Sequence, residues 1–175
     1  MSTWEEFRTA EPQMARDAER LWRGIVALDR GATLDRSVPE TFPIAYLATT
    51  RPDGSPRLHP FCPVIAAGRL FAAIPPASPK GDDLRRDGRC AIHAMPGPDD
   101  AELAIRAIAR EVGGDPAVRA RVLGVVTRSS VTGMIATVSE HPLFEFDVVQ
   151  VDTAVWQQVG EAGTYAVRSR WKGPR

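Results

Sequence analysis

"IAYLATTRPDGSPRLHPFCPVIAAGRLFAAIPPASPKGDDLRRDGRCAIHA", residues 44–94, decides how the fold is read. IAYLATT (44–50) is a short apolar run of strand type. RPDGS (51–55) then turns the chain: proline presets φ, aspartate bonds back to the backbone, and glycine takes φ > 0. RLHPFCPVIA (57–66) reads as a second strand. Pro60 and Pro63 cannot donate ladder hydrogen bonds, so one edge of it is expected to be free or bulged. AAGR leads into LFAAI (70–74), giving a three-stranded antiparallel meander. IPPASPKGDDLRRDG (74–88) stops that strand and starts a helix over about 79–87. CAIHAM (90–95) is a fourth strand.

Ser78-Pro79-Lys80 admits two readings. Serine at an N-cap and proline at the first helical position favour helix initiation by themselves. A helix start also presents unpaired N–H groups and the positive end of the macrodipole. With a hydroxyl and an ammonium added, it makes a compact phosphate-binding set, and Gly81 lets a ligand approach the backbone. The tripeptide alone favours the capped helix. Arg85, Arg86 and Arg89 then read as a solvated helix face or as partners of the C-terminal dipole.

Working outward, residues 3–28 read as helical. Thr3-x-x-Glu6 fits a capping box, and Met14, Ala18, Leu21, Trp22, Ile25 and Leu28 recur on one face. Residues 29–43 are loop-like. AELAIRAIAREV (101–112) is ambiguous: its composition favours helix, yet Leu103, Ile105, Ala107 and Ala109 also alternate with polar neighbours as in a strand. Asp115-Pro116 starts a helix running to about 127. Residues 143–152, 154–159 and 164–169 read as three strands. The tally is six or seven antiparallel strands with two to four helices, so a β-barrel with helical decoration fits best.

The bulk numbers narrow the class. The 175 residues suit one domain with a real core. Lys+Arg and Asp+Glu are both 22, so formal net charge is zero and gives no general pull toward nucleic acid or membrane. Any anion site must be local. Cys62 and Cys90 form no disulfide framework or metal spacing and read as inert thiols. His59, His93 and His141 lack a carboxylate cluster, so no metal site is expected. No Walker loop, Gly-x-Ser-x-Gly elbow or Gly-x-Gly-x-x-Gly occurs. The polar N-terminus is unlike a signal peptide, and no apolar run approaches the ~18 residues of a membrane span. A soluble, cytoplasmic protein is the expectation.

The order of these segments resembles the flavin-binding split-barrel family related to pyridoxamine 5′-phosphate oxidase. The resemblance rests on a strand of the form L-A-T, a P-D-G turn, P-R-x-x-P (56–60), a G-R-L hairpin, and S-x-K-x-x-D-L-x-R-D-x-R (78–89). It is continuous over residues 44–95, and HPLFEFDVVQV with a late Arg-Trp extends it more loosely.

The resemblance implies a mainly β fold with helices: a six-stranded antiparallel split β-barrel that forms a homodimer. It implies one domain over 1–175, with an N-terminal helical segment (1–40) and a barrel with inserted helices (41–175). Flavin mononucleotide (FMN), or a deazaflavin in relatives, would lie in clefts at the dimer interface. Ser78 and Lys80 fall on the positions that hold the FMN phosphate. Arg57, Leu58, His59 and Pro60 fall on the cofactor-contacting stretch of the second strand. Ala73 and Ile74 would run beneath the isoalloxazine ring, with His93 and Trp171 facing it. The resemblance also makes 101–112 a long barrel-crossing strand.

Two departures bear on function. The chain ends SRWKGPR, without the oxidase's Arg-Leu-x-Pro, so pyridoxine phosphate oxidation does not carry over. Pro60, Pro63 and Pro79 each remove a backbone donor near the expected ligand. The resulting expectation is an FMN-dependent oxidoreductase whose substrate and catalytic residues the sequence does not name. The alternatives are a deazaflavin F-420-dependent reductase, with Arg85, Arg86 and Arg89 lining an exit groove, and a non-catalytic flavin- or haem-binding module using His59 or His93.

Overall fold

The computed structural model describes residues 2–21, 44–94, 101–128 and 132–174. Thr3 opens α1 (Trp4–Ala10) through the expected capping box with Glu6. The helical stretch expected over 3–28 is divided, in its described part, at Glu11, which leaves helical geometry before Pro12 (φ −131°, ψ 67°), so that α2 (Pro12–Arg20) starts afresh. The remainder of that expected helix, and the 29–43 loop, lie outside the described residues.

The strands are β1 (Ala45–Thr50), β2 (Pro56–Phe61), β3 (Val64–Ala66), β4 (Arg69–Ala73), β5 (Arg89–Ala94), β6 (Glu102–Glu111), β7 (Leu143–Gln157) and β8 (Tyr165–Lys172). Between them lie α3 (Pro79–Arg86), α4 (Pro116–Val126) and α5 (Thr132–Glu140). All pair antiparallel in the order β2-β1-β5-β6-β7-β4-β3, with β8 added to β7.

The sheet therefore has eight strands, not six. The expected second strand breaks at Cys62-Pro63, where proline has no ladder donor, so β2 pairs β1 while β3 pairs β4. For the same reason the first three strand runs are not one meander. In the C-terminal arm the two strands expected over 143–152 and 154–159 are instead one. β7 runs unbroken to Gln157, and the true turn comes at Gly160 and Gly163, both at positive φ.

β2 and β3 stand at opposite ends of the strand order, yet only Cys62 and Pro63 separate them. Two ends of a sheet joined by so short a link must meet, so the sheet curls into a barrel that stays unpaired along that seam. β2 is an edge strand, which accommodates Pro60.

β6 settles the ambiguous segment. It is paired on both sides, to β5 and β7, and Leu103, Ile105, Ala107 and Ala109 all point into the core. Tertiary pairing overrides helix propensity here. Trp4 and Phe7 on α1, Phe71 on β4, and Phe144 and Phe146 on β7 are the largest side chains of that core. The other end of α1 docks on the β3–β4 hairpin: Glu5 N–H donates to the Gly68 carbonyl, and the hairpin turn has Ala67 and Gly68 both at positive φ.

Candidate functional site

The Asp-Gly turn after β1 behaves as its residues require. Asp53 accepts from the Ser55 N–H and hydroxyl, and Gly54 sits at φ 83°. It sets the register of β1 against β2, placing Leu47 opposite His59 and Thr49 opposite Arg57. The alternation of a strand then splits the expected contact stretch between two faces. Arg57 and His59 share the inward face with Thr49 and Leu47, whereas Leu58 and Pro60 are exposed on the outer one.

α3 packs against β1 and β6 and brings its start to β2. Ser78 is its N-cap residue and Pro79 its first helical residue, but the Ser78 hydroxyl makes no capping bond. The serine is thus not spent on the role that would explain it locally. Lys80 reaches across to β2, its Nζ donating to the Pro60 carbonyl at 3.0 Å. Burial pushes the Lys80 ammonium below its ordinary pKa, and burial likewise raises that of the neighbouring Cys62 thiol. Ile74, fully buried at the end of β4, lies under the same helix start: a Cβ added to Gly81 would meet its Cγ2 at 3.4 Å. Ala73 beside it is half-buried.

One residue that sequence reasoning gave no role holds this corner together. Asp83, on the buried side of α3 and 2% exposed, accepts from Arg57 Nε at 2.7 Å and from the Thr49 hydroxyl at 2.9 Å. Arg86 Nη2 adds a third bond at 3.2 Å. Burial by itself would raise the Asp83 pKa; the bonds from Arg57, Thr49 and Arg86 outweigh it and hold the carboxyl below its ordinary value. Its signal was present in the Asp-Leu-x-Arg that follows Lys80, as an acidic residue next to Leu84 on the buried helix face.

His59 lies among these charges. Burial first, then the positive charges of Lys80 and Arg57, push its imidazole below the ordinary pKa. Its Nε2 is buried with no hydrogen-bond partner among the described residues. Because a buried unsatisfied nitrogen is costly, this atom marks a place where a ligand donor or water is called for.

Other expected residues lie elsewhere. His93 is on the exposed outer face of β5, with Nδ1 2.7 Å from the Ala94 carbonyl. Trp171 is 8% exposed, on β8, with its ring 5.3 Å from that of Phe7. It is built into the core beneath α1, five strands along the sheet from His59. Arg85 pairs with Glu111 and Asp82, Arg86 with Asp83, and Arg89 with Asp87. Each of these three cations has an internal carboxylate partner.

A cavity of about 580 Å³, lined by none of the expected site residues, lies between α4 and the outer face of β4, β6 and β7. Its charges answer one another. Glu145 is bonded to both Arg69 and Arg110, and Arg110 Nε also lies 3.5 Å from buried Asp147. The donors of the Ser78–Lys80 corner have no such saturation, so the corner is the better candidate. Among the described residues no His, Cys, Asp and Glu group could hold a metal ion, and no helix is long and apolar enough to cross a membrane.

No family model and no curated protein sequence matches the chain. Solved structures do. A candidate pyridoxamine 5′-phosphate oxidase from Listeria innocua superposes with a TM-score of 0.50 at 15% identity, over 75% of this chain and 95% of its own. HutZ, the haem storage protein of Vibrio cholerae, gives 0.54 at 16% identity over 71% and 86%. An F-420 reductase gives 0.50 at 19% identity over 66% and 93%. Neighbours with such different ligands share the barrel, so the likeness is one of fold. The chain has the split-barrel fold of the pyridoxamine 5′-phosphate oxidase-like proteins.

Proposed function

We propose that the protein binds FMN through its phosphate at the start of α3 and acts as a flavin-dependent oxidoreductase on a small molecule. The observation that supports this most is the set of unspent donors carried by β2 and the start of α3. Ser78 has a hydroxyl outside any capping bond, Lys80 has two ammonium protons beyond the one given to Pro60, and Arg57 has its terminal guanidinium nitrogens. This seat is built from side chains, which compensates for the backbone donors that Pro60 and Pro79 lack. A phosphate monoester is what two cations and a hydroxyl at a helix start recognise.

The residues present fit that group. When bound, FMN supplies the hydride or electron chemistry. The chain's own part is to hold the phosphate with Ser78, Lys80 and Arg57, and to offer His59 Nε2 as an acceptor toward the ligand. A neutral His59, kept so by burial and the flanking cations, accepts at Nε2 in its Nδ1–H tautomer. Half-buried Ala73 supplies an apolar edge, with Ile74 packed beneath the helix start. Adding FMN to purified protein and following the quenching of flavin fluorescence tests the reading; unquenched emission at micromolar protein removes it.

The F-420 alternative keeps the support of a reductase neighbour, while Arg85, Arg86 and Arg89, which would line its exit groove, each also pair with a nearby carboxylate. A haem-binding reading retains one observation, the unpartnered His59 Nε2. A Soret band on haem addition that is lost in His59→Ala would favour it; no Soret shift would discard it.

The reading includes a homodimer. The outer face of β1, β2 and β5 carries Tyr46 (37% exposed) and Leu58 (63% exposed) beside Pro60, Ala91 and His93. An apolar sheet face of this kind is normally covered, and a second copy of the chain is the proposed cover.

A further inference from the structure

We infer that Asp83 is a positioning residue that aims the Arg57 guanidinium at the ligand phosphate. The inference rests on the phosphate-seat reading above. It starts from which nitrogen Asp83 takes. The bond at 2.7 Å is to Nε, the inner nitrogen of the guanidinium, and the terminal Nη groups have no hydrogen bond among the described residues. A guanidinium held by Nε is fixed in plane and direction, leaving its outer edge to bind two phosphate oxygens at once.

Asp83 is itself immobilised. It is 2% exposed, and the Thr49 hydroxyl on β1 donates to the same Oδ2 that Arg57 uses, while Arg86 holds Oδ1. One carboxylate thus locks together a strand residue, an edge-strand cation and the helix that carries Ser78 and Lys80. The groups bonded to it are Arg57, Thr49 and Arg86, and the charges of Lys80, Arg57 and Arg51 act on nearby His59. A negative charge placed so close to an anion's seat would be a liability if it acted by charge alone. Its retention makes sense if orientation outweighs repulsion.

That opposition gives the test a sign. By Coulomb's law, Asp83→Asn removes a repulsive charge and should tighten phosphate binding. If Asp83 positions Arg57, the same change should weaken it. The affinities of FMN and riboflavin, which lacks the phosphate, are measured by fluorescence quenching on the full chain. Asp83→Asn is expected to lower the FMN-over-riboflavin preference about tenfold while leaving riboflavin affinity within about twofold, the scale of one charged hydrogen bond. An equal loss for both ligands would mean a merely structural role and overturn the inference, as would an unchanged or increased preference. Arg57→Lys serves if Asp83→Asn does not fold. Lysine cannot be held at one edge and bind phosphate with two donors at another, so the same drop is expected, and an intact preference contradicts it. Wild-type protein that does not discriminate between the two flavins overturns the phosphate seat and this inference together. Wild type that discriminates, with variants that discriminate equally well, overturns the inference alone.

Discussion

The Lys80 ammonium donates to the Pro60 carbonyl at 3.0 Å, tying the start of α3 to the edge strand β2. The contact accounts for two oddities of the sequence together. Pro60 has no N–H to offer a neighbour, but its carbonyl is well placed to accept, and Lys80 is thereby drawn out of solvent toward the barrel. Lys80→Ala should weaken FMN binding about 10- to 100-fold, the range for a charge-assisted hydrogen bond. The melting temperature should move little, because one partly exposed bond is lost. Unaltered affinity by fluorescence titration would return Ser-Pro-Lys to the role of a simple helix start.

Trp171 separates a packing role from a ligand role. Its ring lies against Phe7, which in turn packs edge-on to Trp4 at 5.0 Å. Trp171→Ala should cost about 3–5 kcal/mol of stability in denaturant unfolding. FMN affinity of the remaining folded protein should stay within about twofold of wild type. A variant that keeps its stability but loses flavin would restore Trp171 as a wall of the cofactor site.

Acid sensitivity should come from His59 and Asp83 in separate windows. The folded His59 pKa lies below the ordinary 6.5, so below that pH the unfolded chain takes up a proton the folded one resists. Stability should therefore fall as pH drops through the region just under 6.5. The folded Asp83 pKa lies below 3.8, so its contribution is complete above 3.8 and disappears as pH falls through the folded value. In urea titrations across pH, His59→Gln should abolish the first decline and leave the second. A His59→Gln profile identical to wild type above pH 4 would show that His59 is not held neutral.

The outer sheet face predicts the quaternary state. Leu58→Glu puts a charge in the middle of the exposed apolar surface of β2, far from the buried side of the strand. Light scattering should find wild type as a dimer and Leu58→Glu as a folded monomer, since burying an unpaired charge in an apolar contact is costly. A monomeric wild type would contradict the proposed cover for this face.

Turns and capping were legible in the sequence because their chemistry is local. Thr3 with Glu6, the Asp53-Gly54 turn and Asp115-Pro116 all act over a few residues, and all appear as expected. β6 was not legible from propensity, since alanine and arginine favour helix; only pairing on both sides makes it a strand, as the resemblance implied. The break at Cys62-Pro63 was visible as a proline but not as a change of partner, because which strand lies next in space is non-local. At the candidate site, the Ser78-Pro79-Lys80 tripeptide alone favoured a capped helix, and the phosphate reading of Ser78 and Lys80 came with the resemblance. Asp83 had no assigned role because its partners, Thr49 and Arg57, are 34 and 26 residues away. Trp171 was expected to face the ring, and its contact with Phe7, which spans nearly the whole chain, could not be read from the sequence.

The most direct test of the central claim is a paired titration of wild-type protein with FMN and riboflavin, read by flavin fluorescence. A phosphate seat at Ser78, Lys80 and Arg57 predicts that FMN binds at least about tenfold more tightly, as expected for charge-assisted bonds to its phosphate. Equal affinities, or no binding of either flavin, would contradict it.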